Sequence, residues 1–256
     1  MGLVRTPEEL KQRTQHFAQG VLIGDVKMVF ARFRTDPNIV KHLLPPPLEP
    51  GPKPLGFVYI AEFENPNFCQ PYNEAGVFLD AQYKNAMGNY CLSMPVTVDS
   101  PLWQGRETQG YPKKIAEFIA VEERGNYVTG NCIRRGQRLI TITVQLEGSM
   151  KEELPSTATY TIKAFPSVTG AGFEHPPLLI HSHNEFRWNT PEKGIGRVSF
   201  GKSAHDPIHE IPVKEVVLAG YGTHIEILMQ PGNIVAELNP EIYEPYYWNK
   251  QDWDLD

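Results

Sequence analysis

From residue 56 to residue 228 the chain is a succession of short segments in which apolar and polar residues alternate, the pattern of strands with one buried face. They fall at 56–63, 74–83, 88–98, 117–123, 126–133, 138–146, 158–164, 183–188, 196–201 and 213–228. The clearest puts Ile140, Ile142, Val144 and Leu146 on one face and Thr141, Thr143 and Gln145 on the other. Joined to 126–133 through Arg134-Arg135-Gly136-Gln137, it reads as a half-buried antiparallel hairpin. Many antiparallel strands with few helices imply a curved or closed sheet, so the expected class is α+β and mainly β.

Helices are few. Thr6-Pro7-Glu8-Glu9 has a capping threonine, a first-turn proline and a glutamate that completes a capping box, which predicts a helix to about Gln19. Val26 to Phe33 follows as a strand, with Met28, Phe30 and Arg32 on one face. Asp36-Pro37 opens a short helix that must stop at Pro45-Pro46-Pro47, and the extended run to Pro54 is too short to separate domains. Asp99-Ser100-Pro101 starts another short helix, ended by Gly110. With 256 residues and 41% hydrophobic content, a single domain over 1–256 with one substantial core is expected.

Charge and apolar runs narrow the function classes. A formal charge of −6 without a long run of either sign argues against a nucleic-acid partner. The apolar stretches, such as Val26 to Phe33 and Leu139 to Leu146, are of strand length and do not suggest a membrane span. Charges near the N-terminus stand where a signal peptide needs an apolar core, so a cytoplasmic address is expected; Met1-Gly2 agrees only loosely with a myristoylation motif. Cys69, Cys91 and Cys132 are far apart and form no Cys-x-x-Cys pair, which argues against disulfides and a zinc cage.

Several motifs are weaker than their spelling. Gly196-Arg197-Val198-Ser199-Phe200-Gly201-Lys202-Ser203 fits a phosphate-binding loop, but its interior is strand-like and Ala204-His205-Asp206-Pro207 allows no long helix behind it. His181/His183 and His205/His209 are near pairs without a third ligand at recognisable spacing, so no metal is expected. Cys91 and Cys132 sit in apolar strand patterns that suit packing.

The segment Gly105-Arg106-Glu107-Thr108-Gln109-Gly110-Tyr111-Pro112-Lys113-Lys114-Ile115-Ala116 sets two adjacent lysines at the entrance of an apolar strand. By composition alone it reads as a strand edge guarded by two solvated charges. In spelling it resembles the acetoacetate decarboxylase family, whose motif is arginine-glutamate, a short spacer, then tyrosine-proline-lysine-lysine. Further landmarks agree in order and spacing from about residue 26 to 236: Phe33-Arg34-Thr35-Asp36, Leu44-Pro45 with Pro47-Leu48-Glu49, Tyr72-Asn73-Glu74, and Ile211-Pro212-Val213-Lys214-Glu215-Val216. The resemblance implies a cone-like antiparallel β-barrel with a surrounding sheet, assembled as a homo-oligomer. It also implies a small oxo-acid substrate and no cofactor.

In that family the first lysine of the pair forms a Schiff base with a ketone, which carries over to Lys113, with Lys114 as its cationic neighbour. Only a neutral amine attacks a carbonyl, and a free lysine with pKa ~10.4 leaves roughly one amine in a few thousand neutral at pH 7. The family is itself the standard example of a lysine activated by desolvation or a nearby cation. Adjacent strand residues face opposite ways, so a second ammonium would lie ~10 Å off and supply only ~1.2 units at an effective dielectric of ~20. Burial, worth ~3–5 units, should therefore dominate.

By the same resemblance Glu74 handles protons or bonds the intermediate, although it also reads as a surface strand glutamate. Arg106 and Glu107 form either a supporting charge network or a simple helix ion pair. Tyr111, with Pro112, sets the backbone that aims Lys113, and the resemblance implies that Tyr59, Arg106, Glu107 and Tyr111 contact the substrate. Two departures bear on the reaction. Decarboxylating members carry an arginine where the register gives Val26, with Lys27 beside it, and a pocket glutamate where the register gives Tyr59. The implied activity is decarboxylation of a β-keto acid through Lys113. The alternatives are a Schiff-base aldolase-dehydratase that joins pyruvate to an aldehyde, and a barrel that only binds a small ligand.

Overall fold

The structure, a computed structural model, describes residues 3–151 and 158–252. Met1 and Gly2, where the loose myristoylation match falls, lie outside the described residues. Strands dominate, and seven of them close into a barrel. In wall order these are Val21–Arg34, Leu55–Pro66, Tyr72–Tyr83, Ala86–Val96, Ala158–Lys163, Leu178–Arg187 and Glu215–Met229, which pairs back with Val21–Arg34. The wall is antiparallel except at Ala86–Val96 against Ala158–Lys163, where Thr159 pairs with Asn89 in parallel. The expected mainly β barrel with surrounding sheet is what forms.

The strand Glu215–Met229 also belongs to a second sheet, which continues through Glu192–Phe200, Gln137–Ser149, Tyr127–Arg134 and Phe118–Arg124. This sheet folds back over the barrel wall. Strand alternation then sorts the side chains of Val21–Arg34 into two cores. Met28 and Phe30 point into the barrel, while Val29, Ala31 and Phe33 pack outward against Ile119, Val128, Leu139 and Ile142 of the covering sheet. Arg32, on the inward register of Met28 and Phe30, pairs with Asp80 at 2.6 Å. Ile140, Ile142 and Val144 form the buried face of the hairpin, and Cys91 and Cys132 are packed in the two cores.

The helices are local. Pro7–Ala18 begins at the Thr6–Glu9 capping box, and Pro37–Leu43 is capped by Asp36. Gly196 to Ser203 lies in and just after the strand Glu192–Phe200 with no helix behind it, so the phosphate-loop spelling has no phosphate-loop geometry. No helix among the described residues is long and apolar enough to cross a membrane. Sequence reasoning left out the helix Pro240–Tyr247, which has Pro245 inside it and buries Tyr243 and Tyr247 against the outside of the barrel.

Contact between the covering sheet and the barrel depends on Gly130. A Cβ there would lie 2.6 Å from Val29 Cγ1 and 2.9 Å from Ile60 Cβ, both in the wall below. Gly130→Ala is expected to lower stability by about 1–3 kcal/mol through overpacking. Urea unfolding checks this, and an unchanged midpoint would contradict the tight seating of the two layers.

Candidate active site

Two adjacent wall strands and a short strand added beside the next one build the site. Lys113–Ile115 is a short strand added in parallel to Ala86–Val96, with Lys113 opposite Met94 and Ile115 opposite Val96. Glu74 pairs with Val96 on one side and Ala61 on the other, and Tyr59 lies opposite Gly76 on the next strand. Tyr59, Glu74 and Lys113 therefore converge inside the barrel. Lys113 Nζ donates to Glu74 Oε2 at 2.6 Å, and the Tyr59 hydroxyl donates to Glu74 Oε1.

Lys113 is 5% exposed and Glu74 4%, so neither is a solvated strand-edge charge. Each ion would be costly to bury alone and is tolerable here only as a pair with its remaining oxygen bonded. Burial and the adjacent Glu74 carboxylate push the Tyr59 phenol well above its ordinary range, which keeps it a proton donor to Glu74. The rings of Tyr72 and Tyr111 lie 5.5 and 5.9 Å from Lys113 Nζ. Burial raises the Tyr111 hydroxyl to about 12, so it too stays protonated.

Lys113 stands between two chambers that share Tyr72, Tyr111, Lys113 and Met229. The inner, of about 60 Å³, is walled mainly by apolar side chains such as Met28, Phe57, Phe78, Phe186 and Ile227, with Glu74 as its one carboxylate. The outer, of about 230 Å³, lies beneath Arg13 and Phe17 of the N-terminal helix and is bordered by Gln104, Thr108, Ser182 and Gln230. Gly105 makes room for the lysine: a Cβ there would sit 2.6 Å from Lys113 Cε.

The other residues singled out from the sequence take different places. Lys114 faces away from Lys113, as strand alternation requires. It is 8% exposed, and its Nζ donates to Asp206 at 2.9 Å and to the His205 carbonyl at 3.0 Å, with Asp252 at 3.4 Å. Arg134 completes this network through Asp206 and Asp252. Lys114 is thus a strut on the outer side of the wall, in contact with neither chamber. Arg106 donates to the backbone carbonyls of Lys113 at 3.0 Å and Lys250 at 2.9 Å, so it fixes main chain, not substrate; Glu107 is exposed. Neither His181 nor His183 borders the chambers, whereas Ser182 and Asn184 do. Val26 is fully buried, and Lys27 pairs with Glu62 at 2.7 Å and donates to the Val121 carbonyl toward the covering sheet.

Lys250 was invisible to sequence reasoning. Its Nζ donates to the Ile162 carbonyl at 2.8 Å and the Gly110 carbonyl at 3.3 Å, and Gly110 ends the turn that leads into Lys113. Burial, aided by the charge of Arg106, pushes the Lys250 amine down to about 7. Between about pH 7 and the ordinary value near 10.5, the unfolded chain holds a proton here that the folded protein does not. Stability therefore rises with pH across that window, and the gain is lost as pH falls through about 7. Comparing chemical denaturation at pH 7 and pH 9, Lys250→Met should remove about 2 kcal/mol of the wild-type rise. Parallel pH profiles for the two proteins would contradict this origin.

Comparison with known proteins agrees with this architecture. The model of the family described as acetoacetate decarboxylase matches residues 6–238. The acetoacetate decarboxylase of Paraburkholderia phytofirmans is 26% identical over 196 residues, covering 73% of this chain and 75% of that protein. Among solved structures, acetoacetate decarboxylase from Legionella pneumophila superposes with a TM-score of 0.77 at 19% identity, over 86% of this chain and 88% of that one. The enduracididine biosynthesis enzyme MppR complexed with pyruvate gives 0.72 at 17% identity, over 85% and 91%. The family match spans both the barrel and the segment that presents Lys113, and the chain belongs to the acetoacetate decarboxylase family.

Proposed function

We propose that the protein is a carbon–carbon lyase that decarboxylates a 3-oxo acid through an imine on Lys113. The observation that carries this reading is the enclosed lysine, hydrogen-bonded at 2.6 Å to a buried carboxylate and open to two chambers. Transfer of one proton along that bond turns the ammonium–carboxylate pair into a neutral amine and a carboxylic acid, with no net charge left in the barrel. The free amine adds to the ketone carbon and water leaves, giving a protonated imine. The bond to the carboxylate then breaks, carbon dioxide departs, and its electron pair moves into the imine to form an enamine. Glu74, which gives its proton to the departing water, takes another from solvent and is the placed acid for the enamine carbon; hydrolysis then returns the ketone product and the lysine. The imine nitrogen is the electron sink, so the reaction needs no cofactor.

A second reading keeps the same lysine. Val26 and Lys27 offer no cation to the chamber, and a similar fold is seen complexed with pyruvate. A pyruvate enamine formed on Lys113 could attack an aldehyde and lose water. Supplying 3-oxo acids separates the two by carbon dioxide release; supplying pyruvate with an aldehyde does so by a new carbon–carbon bond.

Lys113→Met combined with Glu74→Gln leaves no buried charge, and it should fold and show no turnover. Glu74→Gln alone should lower kcat by about 10²–10⁴-fold, the usual worth of a placed acid–base group. Full turnover in either variant would refute the assignment. Gly105→Ala should reduce kcat/KM at least tenfold by displacing the lysine; because Gly105 has a helical φ of −64°, no backbone strain confuses the result. Unchanged kinetics would mean that the lysine position does not matter.

A further inference from the structure

The two chambers differ in chemistry, and Lys113 stands at their junction. The inner one is apolar apart from a few groups such as Glu74, Asn89 and Asn184, and Glu74 is already engaged by Lys113 and Tyr59. A negative charge placed there would meet a carboxylate and aromatic walls. The outer chamber holds no carboxylate among its bordering residues and, besides Lys113, one cation, Arg13. The Arg13 guanidinium lies 4.9 Å over the Phe17 ring, and among the described residues it has no carboxylate partner. A guanidinium that stacks on an aromatic ring keeps its N–H fork free for a planar carboxylate.

A ketone carbon bonded to Lys113 carries two substituents, and each chamber can receive one. Electrostatics decides which goes where: the carboxylate arm belongs outward and the apolar arm inward. The inner volume of about 60 Å³ has room for about four to six water-sized groups at ~10–15 Å³ each, enough for a chain of about four carbon atoms and more than the single methyl of acetoacetate needs.

Building on the lyase reading above, we propose that the preferred substrate is a 3-oxo acid whose ketone carries an apolar chain of about four carbons, lodged in the inner chamber, while Arg13 receives the carboxylate. Arg13 is a specificity residue contributed by the N-terminal helix. Its contact is strongest with the bound carboxylate, whose charge drains into the imine as carbon dioxide leaves, so its loss should appear in KM and not as a fall in kcat.

The test is a kinetic series on the full-length protein with 3-oxobutanoate, 3-oxohexanoate, 3-oxoheptanoate and 3-oxododecanoate, read by carbon dioxide release. The neutral ketone 2-hexanone serves as a competitive inhibitor. Expected results are a kcat/KM maximum at six or seven carbons, a KM raised at least tenfold by Arg13→Met with kcat within twofold, partial rescue by Arg13→Lys, and an unchanged inhibition constant for 2-hexanone. Best turnover of 3-oxobutanoate would overturn the chain-length assignment, and equal weakening of acid and ketone would overturn the role of Arg13; in both cases the lyase reading stands. No carbon dioxide from any member would overturn that reading and this proposal with it.

Discussion

The hydrogen-bonded pair between Lys113 and Glu74 governs how the rest of the molecule is arranged. Two opposite charges inside a barrel exact a large desolvation cost, and removing either partner leaves the other stranded at about 3–5 kcal/mol. The fold meets this by supplying a third group, the Tyr59 hydroxyl, with Tyr59 and Glu74 on adjacent strands and Lys113 on the short strand beyond Ala86–Val96. Gly76 belongs to the same arrangement, since a Cβ there would lie 2.5 Å from the Tyr59 ring that crosses it. Such a pair does little for stability compared with an apolar core. Under the proposed mechanism, its worth lies in holding a transferable proton next to an amine at the junction of two chambers.

What surrounds the pair serves to keep one short strand in place. Lys113–Ile115 is only three residues long and has a strand neighbour on one side. Arg106 and Lys250 together tie its carbonyl and the preceding Gly110 to the strand Ala158–Lys163 and to the C-terminal segment. On the other side of the wall, Lys114 anchors the same strand to Asp206 and Asp252. The two adjacent lysines thus divide the work by strand geometry: one reaches the chambers, and the other holds the wall.

Much of this was legible in the residues, for identifiable reasons. Period-two alternation marks strands with one wet or differently packed face, and it found every wall strand of the barrel, although it started Val21–Arg34 and Leu178–Arg187 five residues late. Tyr111-Pro112-Lys113-Lys114 and Tyr72-Asn73-Glu74 pointed to the site through resemblance, because the spacing of 39 residues between Glu74 and Lys113 says nothing by itself. The burial of Lys113 was expected from the chemistry of a neutral amine. Missing were the groups whose roles depend on long-range closure. Lys250 meets Gly110 across 140 residues, from the short turn Trp248–Lys250 that follows a C-terminal helix disguised by an internal proline. Arg13 sits on a helix with no buried residue, where periodicity gives no hint that it covers a cavity. Arg106 and Glu107, adjacent in sequence, go to backbone carbonyls and to solvent, a split that only the π-helical turn Gly105–Gln109 determines.

The most direct measurement is a covalent trap: incubation of the intact protein with a 3-oxo acid and borohydride, then peptide mapping by mass spectrometry. Stoichiometric reduction of one adduct onto Lys113, with Lys114 and Lys250 unlabelled, is the expected result. An adduct spread over surface lysines, or none at Lys113 while product still forms, would contradict the chemistry assigned to the buried pair.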